Sequence, residues 1–239
     1  MNKEYIQNDI LNWKAFLQLK GSQSKDKRLQ KFYAASTYSD ETPLSDIEFV
    51  ALDFETTGLD ASVNSIISIG LVPFTLDRIF CKKAQHWYIE AQDKLQENTV
   101  VIHHITHSDL KNAPDLEAML SPLLEQIAGK VVVVHYRNIE RHFLDKNLRN
   151  LIGEGIIFPV IDTMQIEADI RSEKQSWLSK VLKQESSDSI RLNNSRGRYS
   201  LPNYSAHNAV TDALATAELF QAQVQHHLSA DTHIKTLWL

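Results

Sequence analysis

The sequence predicts an α/β fold in which helices cover the faces of a mixed β-sheet. Apolar segments of strand length come first and alternate with helical patterns later, and three meandering strands followed by βαβ units form a mixed sheet. The predicted strands lie at 47–54, 65–74, 79–90, 130–135 and 156–162, and the second and third form a hairpin-like pair around Leu76 and Asp77. The predicted helices of this part lie at about 114–128, at about 138–150 and from about Asn208 onward.

The spacing of apolar residues justifies these elements in order. Residues 1–46 contain apolar residues at helical spacing and then the polar, turn-rich stretch 36–46, which predicts a helical N-terminal extension and a linker. The continuous apolar run at 49–52 is typical of a strand that is buried on both faces. The segment before KVVVVH is amphipathic, and ALATAELFQAQV continues the last helix. We therefore expect the main domain at residues 47–239.

Composition indicates an ordinary globular protein of 239 residues, of which 43% are hydrophobic and 23% are charged. The single cysteine, Cys81, excludes intramolecular disulfides and multi-thiolate metal sites. No apolar run approaches the ~20 residues that cross a bilayer, and the charged N-terminus does not resemble a signal peptide, so we expect no membrane partner and a cytoplasmic location. The net charge of −5 argues against a protein that coats nucleic acid, but not against an enzyme whose acids bind cations.

One segment departs from this acidic average. Between Arg171 and Arg198 the chain has seven basic residues and three acidic ones. The excess predicts either a surface that faces phosphate groups or an ordinary solvated helix face.

Two carboxylates, Asp53 and Glu55, follow the first apolar strand in the stretch DFETTGL. Side chains alternate along a strand, so both leave from the same face. Protons or cations must compensate their mutual repulsion and lost hydration, and paired oxygen ligands suit Mg²⁺ or Mn²⁺. The alternative is a solvated strand end with two surface acids.

A histidine and a further acid occur in HNAVTD, residues 207–212. A helix that begins near Asn208 places Asp212 on a rigid element and His207 in the preceding loop. Alone, this pattern is also typical of a plain helix start. Together with Asp53 and Glu55, the pattern favours a metal-dependent catalytic site.

These motifs resemble those of the DnaQ-like (DEDDh) 3′→5′ exonucleases, the family of the proofreading (epsilon-type) subunit of DNA polymerase III and of RNase T. DFETTGL resembles the first family motif, and NSIISIGLVPF resembles the strand that follows it. IHHIT at 102–106 resembles the family's H-G-I-T, and residues 207–212 match H-x-A-x-x-D. The resemblance covers about residues 46–228.

The middle motif departs from the family pattern H-N-A-x-F-D-x-x-F-L. Here it is HYRNIERHFL, residues 135–144, with Tyr136 and Arg137 in place of the N-A pair and Glu140 in place of the aspartate. Asp145 lies five residues beyond Glu140, roughly 140° around a helix, so Glu140 is the predicted fourth carboxylate. The alternative is that Glu140 is an exposed helical acid and one metal position is degraded.

The resemblance implies a ribonuclease-H-like fold with a five-stranded mixed sheet. It also implies metal-dependent 3′→5′ exonucleolytic cleavage that releases nucleoside 5′-monophosphates from single-stranded DNA or RNA. Two Mg²⁺ or Mn²⁺ ions are implied, one held by Asp53, Glu55 and Asp212 and one by Asp53 and Glu140. His207 is the implied general base.

The resemblance further implies that the backbone at Thr56 and Thr57, with Leu59 as an apolar neighbour, receives the terminal nucleotide. His104 is expected in a loop near the substrate cleft, and Asp162 is expected to cap a helix rather than to bind metal. The expected partners are nucleic-acid 3′ ends, and a DNA polymerase or another replication or repair protein is a candidate partner. Two alternatives stay open: a catalytically lapsed nucleic-acid-binding or polymerase-accessory module, and a phosphodiesterase that acts on small nucleotides.

Overall fold

The computed structural model describes residues 12–35, 38–91, 105–178, 189–205 and 207–239. Its strands are β1 Phe49–Thr56, β2 Ile66–Phe74, β3 Gln85–Tyr88, β4 Val131–Val134 and β5 Val160–Asp162. They form a five-stranded sheet within the described residues, in the order β3-β2-β1-β4-β5. The pairs β1–β2 and β2–β3 are antiparallel, whereas β1–β4 and β4–β5 are parallel. This mixed sheet confirms the predicted fold class.

Helices cover both faces of the sheet. Those described are α1 Trp13–Gln23, α2 Lys27–Ala34, α3 His107–Leu110, α4 Leu116–Ile127, α5 Asn138–Ile152, α6 Thr163–Leu178, α7 Leu192–Arg198 and α8 Ala209–His227. The Asn208 side chain accepts the Thr211 N–H and so caps α8, and Gly153, with φ of 73°, ends α5. In the described parts of the chain, no helix is long and apolar enough to cross a membrane.

Alternation along β1 divides the apolar core into two layers. Val50 and Leu52 face a layer that they share with α1, α2, α4 and α5. Phe49 and Ala51 face a second layer, to which α6 and α8 contribute. Residues 53 and 55 follow the same alternation as Phe49 and Ala51, so their side chains leave from the face that α8 covers.

Two predicted strands are shorter in the structure. The predicted strand at 79–90 is confirmed only at β3, because the Thr75 N–H donates to the Arg78 carbonyl at 2.8 Å and a 3₁₀ turn follows at Cys81–Lys83. The predicted strand at 156–162 is confirmed only at β5. Pro159, directly before it, has no N–H to donate to a neighbouring strand.

The N-terminal segment packs closely on the rest of the chain. Leu29 of α2 is fully buried in the same layer as Leu124 of α4, and the Tyr33 hydroxyl accepts a main-chain N–H from residue 157 at 3.2 Å. In the predicted linker, Leu44 is fully buried and its N–H donates to the Thr232 carbonyl at 3.0 Å. The domain boundary at residue 46 stays a prediction.

Candidate active site

Strand β1 carries two acids on the face that α8 covers. Asp53 pairs across the sheet with Gly70 of β2, and Glu55 pairs with Ser68. Asp53 is half-buried and Glu55 is only 4% exposed. Acids that are so enclosed lose much of their hydration, which must be replaced by protons, hydrogen bonds or cations.

Gly70 allows the last helix to reach these acids. A Cβ atom at Gly70 would lie 2.1 Å from the main-chain carbonyl carbon of Ala209, the first residue of α8. The first turn of α8 therefore packs directly on the main chain of β2, opposite Asp53. An isolated glycine in a strand pattern is a signal for such an approach, and the prediction above did not use it.

Glu55, His207 and Asp212 meet at this contact. Each offers one ligand atom, and the three atoms lie within 4.8 Å of one another. Asp212 is in the first turn of α8, and its Oδ2 accepts the main-chain N–H of His207 at 2.8 Å. His207 is exposed and has a φ of 69°, a left-handed conformation that is uncommon for a residue other than glycine. The structure therefore brings three of the predicted site residues together.

Glu140 belongs to the same site. It lies in the first turn of α5, is only 2% exposed, and its charge raises the pKa of Asp53. Burial raises the pKa of the Glu140 carboxyl well above its ordinary value, and the nearby Asp162 and Glu55 raise it further. The alternative of an exposed helical acid is therefore wrong.

Asp145, the other acid in this part of α5, has a different partner. It forms an ion pair with Arg149, one helical turn further on, with 2.8 Å between Oδ2 and Nε. This pairing agrees with the choice of Glu140 as the fourth acid.

The clustered acids raise the pKa values of Asp53 and Asp212. Burial is the largest cause for Asp53, whose pKa lies well above its ordinary value, followed by the charges of Glu140, Glu55 and Asp212. Burial also raises the pKa of Asp212, although the hydrogen bond from His207 opposes this shift. Asp53 and Asp212 therefore bind protons more tightly than isolated carboxylates do.

The donor set fits hard divalent cations. Carboxylate oxygens are the ligands that Mg²⁺ and Mn²⁺ prefer. Glu55 and Asp212 converge with His207, and Glu140 contributes a buried oxygen, Oε2, that has no hydrogen-bond partner among the described residues. The charges of Glu140, Glu55 and Asp212 all raise the pKa of Asp53, so Asp53 is close enough to interact with each of these acids.

The predicted substrate residues differ in their surroundings. The Thr56 and Thr57 side chains are buried, and their hydroxyls bond to main-chain atoms of the following turn at 2.6 and 3.0 Å. Leu59 is 85% exposed at the tip of this turn. His104 lies outside the described residues.

Asp162 is more than the predicted helix cap. Its Oδ1 accepts the Met164 N–H at 3.0 Å, as a cap of α6 would, and also the Tyr136 N–H at 2.9 Å. Its Oδ2 accepts the Arg137 N–H at 3.0 Å. Main-chain donors therefore surround this carboxylate, which joins β5 to the start of α5.

Buried ion pairs fix the loop between α7 and α8. Nη2 of Arg196, which is fully buried, lies 2.7 Å from Oε2 of Glu218 on α8. Tyr204, in the loop, donates its hydroxyl to Glu218 Oε1 at 2.8 Å, and its ring lies 4.7 Å from the Arg196 guanidinium. Arg198 pairs in the same way with Glu167, at 2.6 Å. Two arginines of the basic segment 171–198 are therefore paired with acids of the same chain.

A second buried guanidinium belongs to Arg141, the residue that follows Glu140 in α5. Arg141 is only 5% exposed, and its Nη2 donates to the main-chain oxygens of Phe158, at 3.0 Å, and Leu239. The guanidinium lies 5.9 Å from the Trp13 ring of α1. Burial lowers the pKa of Arg141 to about 10, so it remains charged at neutral pH.

The sequence over this site matches a known family. A family model described as exonuclease, of the RNase T type, matches residues 50–220, which include most of β1, all of α5 and the greater part of α8. The chain belongs to this exonuclease family. The predicted enzyme class, a nuclease that hydrolyses phosphodiester bonds, agrees with this membership.

Curated relatives of this exonuclease are parts of DNA polymerase III. The chain is 28% identical over 182 residues to a PolC-type DNA polymerase III of Thermotoga maritima, across 76% of the chain but only 12% of that relative. It is 28% identical over 187 residues to the DNA polymerase III subunit epsilon of Treponema pallidum, across 78% of the chain and 81% of the subunit.

Solved structures show the same fold. The nuclease domain of 3′hExo, a DEDDh family member bound to rAMP, has a TM-score of 0.63 at 13% identity, with 81% of this chain and 96% of that chain covered. Exonuclease X in complex with 5′ overhanging duplex DNA has a TM-score of 0.54 at 17% identity, with 79% and 97% covered. The predicted ribonuclease-H-like fold is confirmed by these likenesses.

Proposed function

We propose that this exonuclease removes nucleoside 5′-monophosphates from the 3′ ends of single-stranded nucleic acid in a metal-dependent reaction. The observation that carries the proposal is the convergence of Glu55, His207 and Asp212 within 4.8 Å, next to Asp53 and the buried Glu140. Four acids at one exposed imidazole suit the hydrolysis of a charged phosphodiester better than they suit an apolar ligand.

The acids would hold two divalent cations, one at Asp53, Glu55 and Asp212 and one at Asp53 and Glu140. When bound, such cations supply Lewis-acid stabilisation of the charge that develops at phosphorus and of the attacking and leaving oxygens. The protein's own contribution is to keep the acids enclosed and fixed on β1, α5 and α8, so that little reorganisation is needed during the reaction.

His207 is the proposed general base. Its imidazole is exposed beside Glu55 and Asp212, and the hydrogen bond from its main-chain N–H to Asp212 fixes the backbone of the loop. A neutral imidazole has a free ring nitrogen, so it can take a proton from the attacking water and later release it to solvent.

The exposed Leu59 and the main chain beside Thr56 and Thr57 are the proposed contacts of the terminal nucleotide, and His104 remains a further candidate. The relatives named as DNA polymerase III chains support a nucleic-acid substrate and make a polymerase a candidate partner. The structural neighbours were solved with both rAMP and DNA, so both sugars are tested below.

The decisive experiment incubates the purified chain with 5′-labelled DNA and RNA oligonucleotides in Mg²⁺ or Mn²⁺. The proposal expects a ladder that shortens by one nucleotide from the 3′ end. Binding without cleavage would support the lapsed module, and hydrolysis of small nucleotide esters alone would support the phosphodiesterase.

Variants assign the activity to this site. His207→Ala should slow cleavage ~10²–10⁴-fold while oligonucleotide binding remains, because a general base contributes about this factor. His233→Ala, which removes an exposed imidazole that pairs with Glu41, is the matched control. Wild-type cleavage should also weaken in acid as the imidazole binds a proton. An acid limb that persists in His207→Ala would exclude His207 as the base.

A further inference from the structure

Tyr136 has a main-chain conformation that tyrosine rarely adopts. Its φ is 81°, in the left-handed region where the Cβ atom crowds the following carbonyl oxygen. The two oxygens of Asp162 impose this conformation, because they accept the N–H groups of Tyr136 and Arg137 at 2.9 and 3.0 Å. Arg137 Nη1 also lies 3.2 Å from Asp162. These hydrogen bonds therefore hold the turn in a conformation that is unfavourable for tyrosine.

Contacts of the Tyr136 side chain do not offset this backbone strain. Tyr136 is 44% exposed, and within the described ranges its ring and hydroxyl have no aromatic, cationic or hydrogen-bonding partner. Backbone strain of this kind is typical of residues that contact ligands. An exposed aromatic ring on a fixed turn is suited to stack on another flat group.

The turn lies on one particular side of the site. Tyr136 follows β4 and precedes Glu140 by four residues, whereas His207 precedes α8, whose first turn packs on β2. Strand β1 lies between β2 and β4 in the sheet. His207 and Tyr136 therefore flank Asp53 and Glu55 from opposite sides.

An in-line displacement at phosphorus places the attacking water and the leaving oxygen on opposite sides of the phosphorus atom. With His207 at the water, the leaving 3′ oxygen lies on the β4 side. That oxygen belongs to the nucleotide next to the terminal one, so this penultimate nucleotide lies toward Tyr136.

We propose that the Tyr136 ring is the stacking platform for the base of the penultimate nucleotide. This subsite rests on the proposed function, and it names a requirement of the substrate: a base on the leaving nucleoside. Stacking on an aromatic ring tolerates every base, so the subsite favours nucleic-acid strands over other phosphate esters without selecting a sequence.

The test compares three substrates with one scissile bond each. They are a dinucleotide, the same dinucleotide with an abasic sugar in place of the penultimate nucleotide, and the p-nitrophenyl ester of thymidine 5′-monophosphate. Tyr136→Ala should raise KM for the dinucleotide about 10-fold, within the range that stacking on one base provides, and should leave kcat nearly as it was. The wild type should prefer the dinucleotide over its abasic analogue, and the variant should lose that preference.

Two further variants separate stacking from folding. Tyr136→Phe keeps the ring and should retain the preference. Tyr136→Asn suits the left-handed backbone, so it should raise the melting temperature yet lose the preference as Tyr136→Ala does. An equal KM change on all three substrates, or an unchanged preference in Tyr136→Asn, would overturn the subsite. If the wild type cleaves none of the three substrates, the proposed function itself fails and the subsite with it.

Discussion

Burial and a neighbouring acid raise the pKa of three acids of the site, Asp53, Glu140 and Asp212. For Asp53, burial and the charges of the three other acids all raise the pKa. Alternation along a strand predicted that Asp53 and Glu55 share a face, whereas the predictions for Asp212 and Glu140 depended on the resemblance to the family motifs. Glu140 has a longer side chain than the aspartate of the family motif, and it is buried in the first turn of α5.

Substitutions at Glu140 test whether it completes the acid cluster. Glu140→Asp should retain activity, whereas Glu140→Ala should lose most of it and need a higher divalent-ion concentration, because one of the cation's carboxylate ligands is gone. Activity is measured during Mg²⁺ and Mn²⁺ titrations of both variants and the wild type. Asp145→Ala, which removes the neighbouring acid paired with Arg149, is the matched control. Equal titration curves for Glu140→Ala and wild type would contradict the assignment.

The raised pKa of Asp53 predicts the pH dependence of metal-free stability. The folded state binds the Asp53 proton more tightly than the unfolded chain, whose aspartate pKa is about 3.9. The contribution of the protonated Asp53 to folding stability is therefore complete below about pH 4. It is lost as the pH rises through the raised pKa of Asp53 in the folded state. In chelator, Asp53→Asn should melt at a higher temperature than wild type at pH 8, and this gain should shrink toward pH 4. Asp77→Asn, in an exposed turn, is the control. A pH-independent gain would show that charge is not the cause.

At the scale of elements, a main-chain contact aligns the site. The first turn of α8 rests on β2 at Gly70, and the loop before α8 is fixed by Tyr204 and the pair Arg196–Glu218. The helices and strands were predictable from periodicity, but these contacts were not. They join residues that are far apart in the sequence, so a local count of charges between residues 171 and 198 could not show that Arg196 pairs with Glu218. A strained turn such as that at Tyr136 leaves no periodic signal either.

Gly70→Ala tests this alignment. The added methyl group has no space beside Ala209, so α8 must shift away from β2 and carry Asp212 with it. We expect a loss of activity of at least ~10²-fold, because small displacements of catalytic groups have effects of this size. Oligonucleotide cleavage and the circular dichroism spectrum are measured together. Gly197→Ala, where a Cβ atom meets nothing within 4 Å, is the control. Full activity in Gly70→Ala would mean that cleavage does not require the close packing of α8 on β2.

At the scale of the whole molecule, the N-terminal helices share the core of the exonuclease domain. The family match begins at residue 50, yet Leu29 of α2 is completely enclosed with residues of α4. The sequence predicted these helices but gave no reason to expect a shared core, because apolar spacing shows that a face is buried and not what buries it.

Leu29→Ala should therefore destabilise the whole chain by about 2–4 kcal/mol, the usual cost of a large-to-small change in a core. The midpoint of urea unfolding is followed both by tryptophan fluorescence and by exonuclease activity. Leu19→Ala, at a site that is 54% exposed on α1, should have little effect. If Leu29→Ala leaves the midpoint of activity loss unchanged, the extension and the exonuclease domain unfold independently.

Arg141 connects the candidate active site to peripheral segments of the chain. Through one guanidinium, the residue next to Glu140 touches the first described helix, the loop before β5 and residue 239. Fraying of either peripheral segment on heating would remove one partner of that buried charge and loosen the first turn of α5. Heat should therefore inactivate the enzyme a few degrees before the sheet melts, and cooling should restore activity as long as the sheet has stayed intact.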